Sequence, residues 1–322
     1  MWQVVGHKWA VDLLKRALAG ERVAHAYLLT GPPQIGKRSL ALNFAQALNC
    51  LDEEKPCGHC LACNKIAHGH HPDVQVIEGE GGTLKIDQMR TLRHEAALSP
   101  LEGRWKVYII RQMEQATAEA ANCLLKTLEE PPAHVILMLT ASEAEALLPT
   151  IVSRCQVLNL RPLATETVQR VLQDRWGVDV ERARLLARLS GGRLGWAAAA
   201  SQNDALLEQR ERHLNEMIEL MGQGRVERLE YAQQLSGNPE AAPGLLHLWL
   251  SWWRDLLLAA SGSSVGITNV DREDTLSTQA QRYSLDQVRD FVEALRAAAW
   301  RLERNANTRL TLEVLMLSLP TR

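Results

Sequence analysis

A short apolar run, AYLLT (26–30), empties into the glycine-proline turn GPPQIG (31–36) and then into KRSLALNFAQAL, where apolar residues recur at helical spacing. Strand, glycine turn and helix in this order form the setting in which G-x-x-x-x-G-K holds phosphate. The glycines let the backbone N–H groups form a cradle, the helix start adds its positive end, and the lysine reaches the terminal phosphates. Gly31, Gly36 and Lys37 are in register, but Arg38 stands where a Ser or Thr hydroxyl would hold Mg²⁺. Ser39 is no substitute, because one further residue on a helix turns the side chain by about 100°. The stretch therefore predicts a degenerate phosphate loop, with ATP or ADP binding weak or absent. A Gly/Pro turn that never met phosphate is the plainer alternative, and the flanking strand and helix count against it.

Further short runs rich in β-branched residues, VQVIE (74–78), KVYII (106–110) and HVILMLT (134–140), are separated by helical stretches. Near-continuous apolar strands alternating with helices predict a mostly parallel sheet covered on both faces, in an α/β domain ending near residue 160. After the strand KVYII, a nucleotide-hydrolysing protein needs an acidic pair, one member to orient the metal and one to polarise water. Here the pair reads Arg111-Gln112, and the next carboxylate is Glu114, two residues on. Three requirements for hydrolysis are thus missing.

Four of the six cysteines fall at Cys50-x6-Cys57-x2-Cys60-x2-Cys63, with Pro56 and Gly58 between them to allow tight turns. Four sulfurs at this spacing suit a closed, tetrahedral, structural Zn²⁺ site, against the alternative of four free or buried thiols. His59, His68, His70 and His71 lie nearby, and one of them could replace a cysteine ligand. Nothing in the opening residues has a signal-peptide pattern and no run reaches membrane-spanning length, so a cytoplasmic protein without membrane contact is expected. A formal net charge of -2 gives no overall field that would draw the chain onto nucleic acid.

From Val11 to Leu18 the spacing predicts a helix that stops at Gly20. From Thr165 onward the strands stop and the chain reads as helical, with breaks at SGGRLG (190–195), GNPEAAPG (237–244) and SGSSVGITNVDRED (261–274). Trp249, Trp252, Trp253 and Trp300 read as core or helix-interface residues rather than as a base-stacking platform. In LLKTLEEPP a helix starting near Glu119 must end at Pro131-Pro132, with Lys126, Glu129 and Glu130 facing solvent and pairing along the helix.

The stretches VAHAYLLTGPPQIGK, AANCLLKTLEEPPAHVILMLT and LLPTIVSRC (147–155), with the cysteine cluster and the closing NANTRLTLEVLMLSLP, closely resemble the bacterial DNA polymerase III clamp-loader subunits of the AAA+ class. The resemblance spans nearly the whole chain, is strongest over 24–63 and 106–155, and is weak from 200 to 300. It implies an AAA+ phosphate-loop domain over 1–160 with an inserted zinc module at about 50–63, a small helical lid over 161–205, and an all-α oligomerisation collar over 206–322. Arg38, Arg111 and Gln112 place the chain with the δ′ type, whose own nucleotide site is degenerate, rather than with γ/τ. The position of the nucleotide-sensing arginine of active members aligns with Gly195, and Arg193, two residues before it, is an open alternative.

From the residues alone, a structural ion pair at a strand end is the slightly favoured reading of Arg154; in such a family, however, Ser153-Arg154-Cys155 is the motif whose arginine reaches the γ-phosphate of the neighbouring protomer in trans, and the resemblance moves the balance to that role. The resemblance implies a non-hydrolysing, non-catalytic subunit of the DNA-directed DNA polymerase III holoenzyme. It would act as a stator in a heteropentamer with γ/τ and δ that places the sliding clamp on primer-template DNA during replication. The alternatives are an active γ/τ-like ATPase with unusual ligands and a zinc-stabilised nucleic-acid-binding protein.

Overall fold

The computed structural model describes residues 2–20, 22–238, 241–263, 266–304 and 306–320. The expected breaks at 237–244 and 261–274 include Pro239, Glu240, Ser264 and Val265, which lie outside the described residues, as does Asn305 in the closing stretch. The chain forms two compact units, Met1–Leu163 and Ala164–Arg322.

The first unit is an α/β domain on a five-stranded, all-parallel sheet. Its strands are β1 (Ala26–Thr30), β2 (Val74–Ile77), β3 (Lys106–Ile110), β4 (Val135–Ala141) and β5 (Gln156–Asn159), in the order β2-β3-β4-β1-β5. Its helices are α1 (Lys8–Ala19), α2 (Lys37–Asn49), α3 (Leu61–Ala67), α4 (Ile86–Ala96), α5 (Ala118–Glu129) and the single turn α6 (Pro149–Val152). β1, β3 and β4 are buried along their whole length, as their unbroken apolar sequence requires. Alternate residues serve opposite faces: Tyr27, Leu29, Val107 and Ile109 pack with Leu14 of α1 and Leu40 and Phe44 of α2. Leu28, Tyr108, Ile110 and Leu137 pack with Met89 of α4 and Leu124 and Leu128 of α5. Each such fully buried side chain contributes about 1.5–3 kcal/mol.

Crossover handedness explains which helix lies where. The chain moves one way across the sheet from β1 to β2 and the other way through β3, β4 and β5, so right-handed connections put α2 on one face and α4 and α5 on the other. α1 ends at Gly20, as its sequence predicts. α5 begins one residue before the predicted start, capped by the Thr117 hydroxyl, which accepts from the Ala120 N–H at 3.2 Å.

The second unit is helical: α7 (Thr165–Trp176), α8 (Val180–Leu189), α9 (Leu194–Gln202), α10 (Ala205–Leu220), α11 (Arg225–Ser236), α12 (Ala242–Ala260), α13 (Glu273–Ala280), α14 (Leu285–Glu303) and α15 (Thr308–Ser318). Trp249, Trp252 and Trp253 are fully buried at the centre of the core formed by α10 to α15. Of the expected core or helix-interface roles, Trp300 does not take the core one. It is 54% exposed, and the Arg304 guanidinium lies 4.0 Å above its ring, so the cation rather than a neighbouring helix covers that face. No described helix is long and apolar enough to cross a membrane.

The junction at the end of β1 fixes the loop that follows. Gly31 donates its N–H to the Ser142 carbonyl beyond β4 at 2.9 Å, and its φ is +134°. A Cβ at this position would collide with the Leu160 carbonyl oxygen at the end of β5. Gly31→Ala is expected to cost about 3 kcal/mol, from left-handed strain and overlap with backbone, read as a lower urea-unfolding midpoint.

Candidate functional site

Between β1 and α2 the loop turns through Gln34 at φ +60° and Gly36 at φ +113°, and the helix begins at Lys37 with Gly36 as its N-cap. Ile35 is buried beneath the loop, and its carbonyl meets His7 Nε2 at 3.1 Å. The Lys37 ammonium folds back onto the carbonyls of Gly31 and Pro32, the latter at 3.2 Å. Arg38 stands in the first turn of α2 and offers no hydroxyl to the loop. Gly31, Gly36 and Lys37 are therefore brought together as the sequence predicts, on a helix start suited to an anion.

The positions of the expected acidic pair turn elsewhere. Arg111 forms an ion pair with Glu78 at the end of β2. Gln112 is exposed in a left-handed conformation at φ +50°, held by its N–H on the Thr140 hydroxyl at 3.1 Å. The sequence gives Glu114 no role, and the structure brings it in. A short 3₁₀ turn, Met113–Gln115, swings its carboxylate under the end of β4, where Oε1 accepts from the Ser142 N–H at 3.1 Å. Glu114 Oε2 is buried without a partner among the described residues. Burial raises the pKa of Glu114, while the Ser142 amide and the charge of Lys37 oppose the shift. No local sequence pattern signals this inward swing, because the contact joins Glu114 to Ser142, 28 positions away.

On the rim, Pro149 opens the one-turn helix α6 and Arg154 follows two residues after its end. Its Nη1 donates to the Thr150 carbonyl at 2.9 Å, and its Nη2 to Oε1 of Glu129, the last residue of α5, at 2.8 Å. The two side chains are 35% and 49% exposed. Glu130 faces solvent as predicted, but Glu129 pairs with Arg154 and not along the helix with Lys126, because the chain returns through α6 to the end of α5. The Ser153 hydroxyl donates to the Thr150 carbonyl at 3.2 Å. Cys155 packs against the core beneath α5, and burial pushes its thiol up to about 12.

The cysteines converge as their spacing predicts. Cys50 caps the end of α2, Cys60 caps the start of α3, and Cys63 lies in that helix's first turn. The four sulfurs lie within 4.8 Å of one another, with Cys50–Cys60 at 4.0 Å and Cys57–Cys63 at 3.9 Å. A tetrahedral ion with bonds of about 2.3 Å requires sulfurs about 3.8 Å apart, so this donor set fits zinc. Backbone N–H groups of Cys57, Cys60 and Cys63 donate to the sulfurs of Cys50, Cys57 and Cys60 at 3.3–3.4 Å, which orients and stabilises thiolates. The four-sulfur group contains no histidine: His68 Nδ1 is engaged by the Asn64 carbonyl at 2.8 Å, and His71 Nδ1 accepts from the Asp73 N–H at 3.1 Å. His59 lies 3.7 Å from Asp52, and both lie near Cys57 at the edge of the cluster. His70 is exposed.

The cysteine module is tied to the sheet domain by its neighbours. Asn49 brackets the Trp105 backbone, donating to its carbonyl at 3.0 Å and accepting from its N–H at 2.9 Å. Buried Asp73 accepts the N–H groups of Leu101, Glu102 and Gly103 at 2.7–2.8 Å. In the second unit, Arg193 caps α9, donates through Nε to the Ser190 carbonyl at 2.9 Å and lies 5.8 Å from the Trp196 ring centre; Gly195 is exposed.

Fold and site together define a parallel α/β protein with a glycine loop between its first strand and the following helix, four clustered thiols that could hold a metal, and a helical C-terminal unit. Residues 6–164 match the family described as DNA polymerase III, delta subunit, and residues 204–321 match the family described as the C-terminal part of that delta subunit. The delta' subunit of DNA polymerase III from Bacillus subtilis is 31% identical over 315 residues, which cover 96% of this chain and 94% of the relative. The chain belongs to the DNA polymerase III delta-type family of AAA+ clamp-loader subunits. It is also related to the gamma subunit of Buchnera aphidicola, 35% identical over 53% of this chain and 47% of that protein. The tau subunit of Bacillus subtilis is 36% identical over 51% of this chain and 30% of its own length. The chain thus spans less than half of these gamma and tau relatives.

Two outcomes are expected. The purified chain should carry about one equivalent of zinc under reducing conditions, and stripping it with a chelator should lower the melting temperature by roughly 10 °C. A metal-free protein with an unchanged melt would refute the site. For Glu114, a folded-state pKa raised above the unfolded one means that stability present at low pH is lost as pH rises through the folded value. Glu114→Gln should therefore stabilise the chain by about 1 kcal/mol at pH 8 and by nearly nothing at pH 4, measured by denaturant unfolding at both pH values.

Proposed function

We propose that this chain is a non-hydrolysing δ′-type subunit of a bacterial DNA polymerase III clamp loader. It stands as a rigid part of the ring while neighbouring ATPases drive the loading of a sliding clamp onto primed DNA. The observation that carries this reading is an asymmetry of charge. At its own loop the chain offers Arg38 where metal needs an oxygen, and Arg111 and Gln112 where it needs carboxylates, with Arg111 already committed to Glu78. At its rim it presents Arg154 on a half-exposed ion pair. An exposed pair of this kind is worth about 0–1 kcal/mol, so the guanidinium can leave Glu129 for a more strongly charged acceptor. A γ-phosphate bound by the adjoining protomer is such an acceptor, and an arginine supplied in trans speeds phosphoryl transfer by about 10³–10⁵. The delta' relative matched along 96% of the chain supports the same assignment.

On this reading zinc is structural, because four sulfurs leave no open coordination position. α7 to α9 serve as a lid, and α10 to α15 as a collar that joins γ/τ and δ subunits in a heteropentamer. Leu310, Val314 and Leu317 of α15 are exposed at i, i+4 and i+7, an apolar stripe suited to a neighbouring collar helix. The protein would work in the cytoplasm and meet DNA mainly through the complex.

A second reading, a residual γ/τ-like ATPase, draws on the Glu114 carboxylate, which lies within electrostatic reach of Lys37. Turnover separates the two. The isolated chain should release no phosphate above background with Mg²⁺ and ATP, whereas robust release would favour the ATPase. In the reconstituted complex, Arg154→Ala should lower DNA-dependent ATP turnover by at least about tenfold without preventing assembly. Unchanged turnover would remove the trans role.

A further inference from the structure

Glu129 is the last residue of α5, Glu130 is its C-cap, and two prolines, Pro131 and Pro132, follow and prevent the helix from continuing. The C-terminal end of a helix carries its unsatisfied carbonyls and partial negative charge, so a carboxylate there is disfavoured unless a cation answers it. Arg154 is that cation, at 2.8 Å. The geometry is specific at both ends. α5 is anchored by Ala120, Leu124 and Leu128 in the core of the sheet domain, so the Glu129 carboxylate is presented from a rigid element. The guanidinium has a second acceptor in the Thr150 carbonyl at 2.9 Å, which uses Nη1 while Nη2 goes to the carboxylate. Two acceptors on two different nitrogens fix the plane of the group, which a single exposed pair would leave free to rotate. Both side chains keep a third or more of their surface in water, so the fixing is reversible.

We propose that Glu129 is a positioning residue for Arg154: it holds the guanidinium outward and oriented in the chain before contact, and releases it when a phosphate held by a neighbouring protomer arrives. The inference rests on the trans role given to Arg154 above. A long arginine chain that must be ordered at the moment of reaction costs rotamer entropy, and an acceptor that orders it beforehand removes part of that cost from the transition state. No bond forms or breaks at Glu129. A carboxylate exchanges its cation for water while a phosphate takes the cation up.

The experiment uses the reconstituted clamp-loader complex and compares Glu129→Ala, Glu129→Gln, Arg154→Ala and the Glu129→Ala/Arg154→Ala double variant. Glu129→Ala should lower kcat for ATP about fivefold at an unchanged KM. Glu129→Gln, whose amide oxygen still accepts from Nη2, should restore at least about half of the rate. The double variant should be no slower than Arg154→Ala alone, because the two residues act as one unit. If Arg154→Ala itself leaves turnover unchanged, the trans role fails and the positioning role fails with it. If Arg154→Ala is slow but Glu129→Ala matches the unaltered complex, the positioning role alone is overturned. Additive losses in the double variant would also overturn it, by showing that Glu129 acts elsewhere. The melting temperature of each variant chain checks that folding is intact, and should Glu129→Ala fail to fold, Glu129→Met, which keeps the length of the side chain and removes the acceptor, takes its place in the same cycle with Arg154→Ala.

Discussion

Parallel pairing of β1 between β4 and β5 is the constraint from which the rest of the site follows. Thr30 accepts the Leu160 N–H at 2.8 Å on one side, and Gly31 donates to the Ser142 carbonyl on the other, so the last residue of β1 and the first of the loop are pinned by both neighbouring strands. The direction of crossover also reverses at β1. In open α/β sheets this reversal leaves a crevice at the carboxyl ends of the strands, where ligands bind. The loop, Glu114 and Ser142 all lie at those ends, each carried there by a different strand. A one-residue slip of β1 would turn Tyr27 and Leu29 to the opposite face and pull the loop away from β4, so core packing and site geometry are specified by the same register.

Much of this was legible in the sequence because burial writes a strong signal. β1, β3 and β4 are buried on both faces and read as unbroken apolar runs, and the four cysteines announce themselves by spacing. β5 is hidden because it is an edge strand with Gln156, Val157 and Asn159 exposed, so its composition resembles a loop. α3 is hidden because it is only seven residues long and its start is set by Cys60, a metal-type ligand acting as cap, rather than by a Ser, Thr, Asp or Asn signal. Glu114 and the Glu129–Arg154 pair escape for another reason. Both depend on contacts between elements 25 or more positions apart, and no local pattern records which carboxylate a returning loop will meet.

The cysteine module illustrates how stability and chemistry are kept apart. Asn49 and Asp73 bind its flank to the backbone of residues 101–105 through five amide or carbonyl contacts, and Lys65 pairs with Glu102 across the same seam. α2 connects the module to the phosphate loop, with Lys37 at one end and Cys50 just beyond the other. A metal bound by those sulfurs would hold the far end of this helix in place. Changes at Arg38 or around the loop would then leave the helix's anchorage intact, which is the physical condition under which a nucleotide site can lose its ligands without loss of the domain.

Three arginines show what burial does to a guanidinium's role. Arg228 is buried, with carbonyls of Leu220, Met221, Leu319 and Pro320 as its acceptors, and so ties the end of α10 to the residues after α15. Removing any of those contacts would leave buried polar groups unpaired, so this cation cannot be given to another molecule. Arg111 is paired with Glu78 where an acidic residue would be needed for metal, and its charge opposes a divalent ion at that position. Arg154 is as exposed as Arg111 but is held by two acceptors on two nitrogens, one half-exposed carboxylate and one carbonyl, each replaceable by water at small cost. Of the three, only Arg154 combines an ordered geometry with a low cost of release, and those are the two properties that a cation offered across an interface requires.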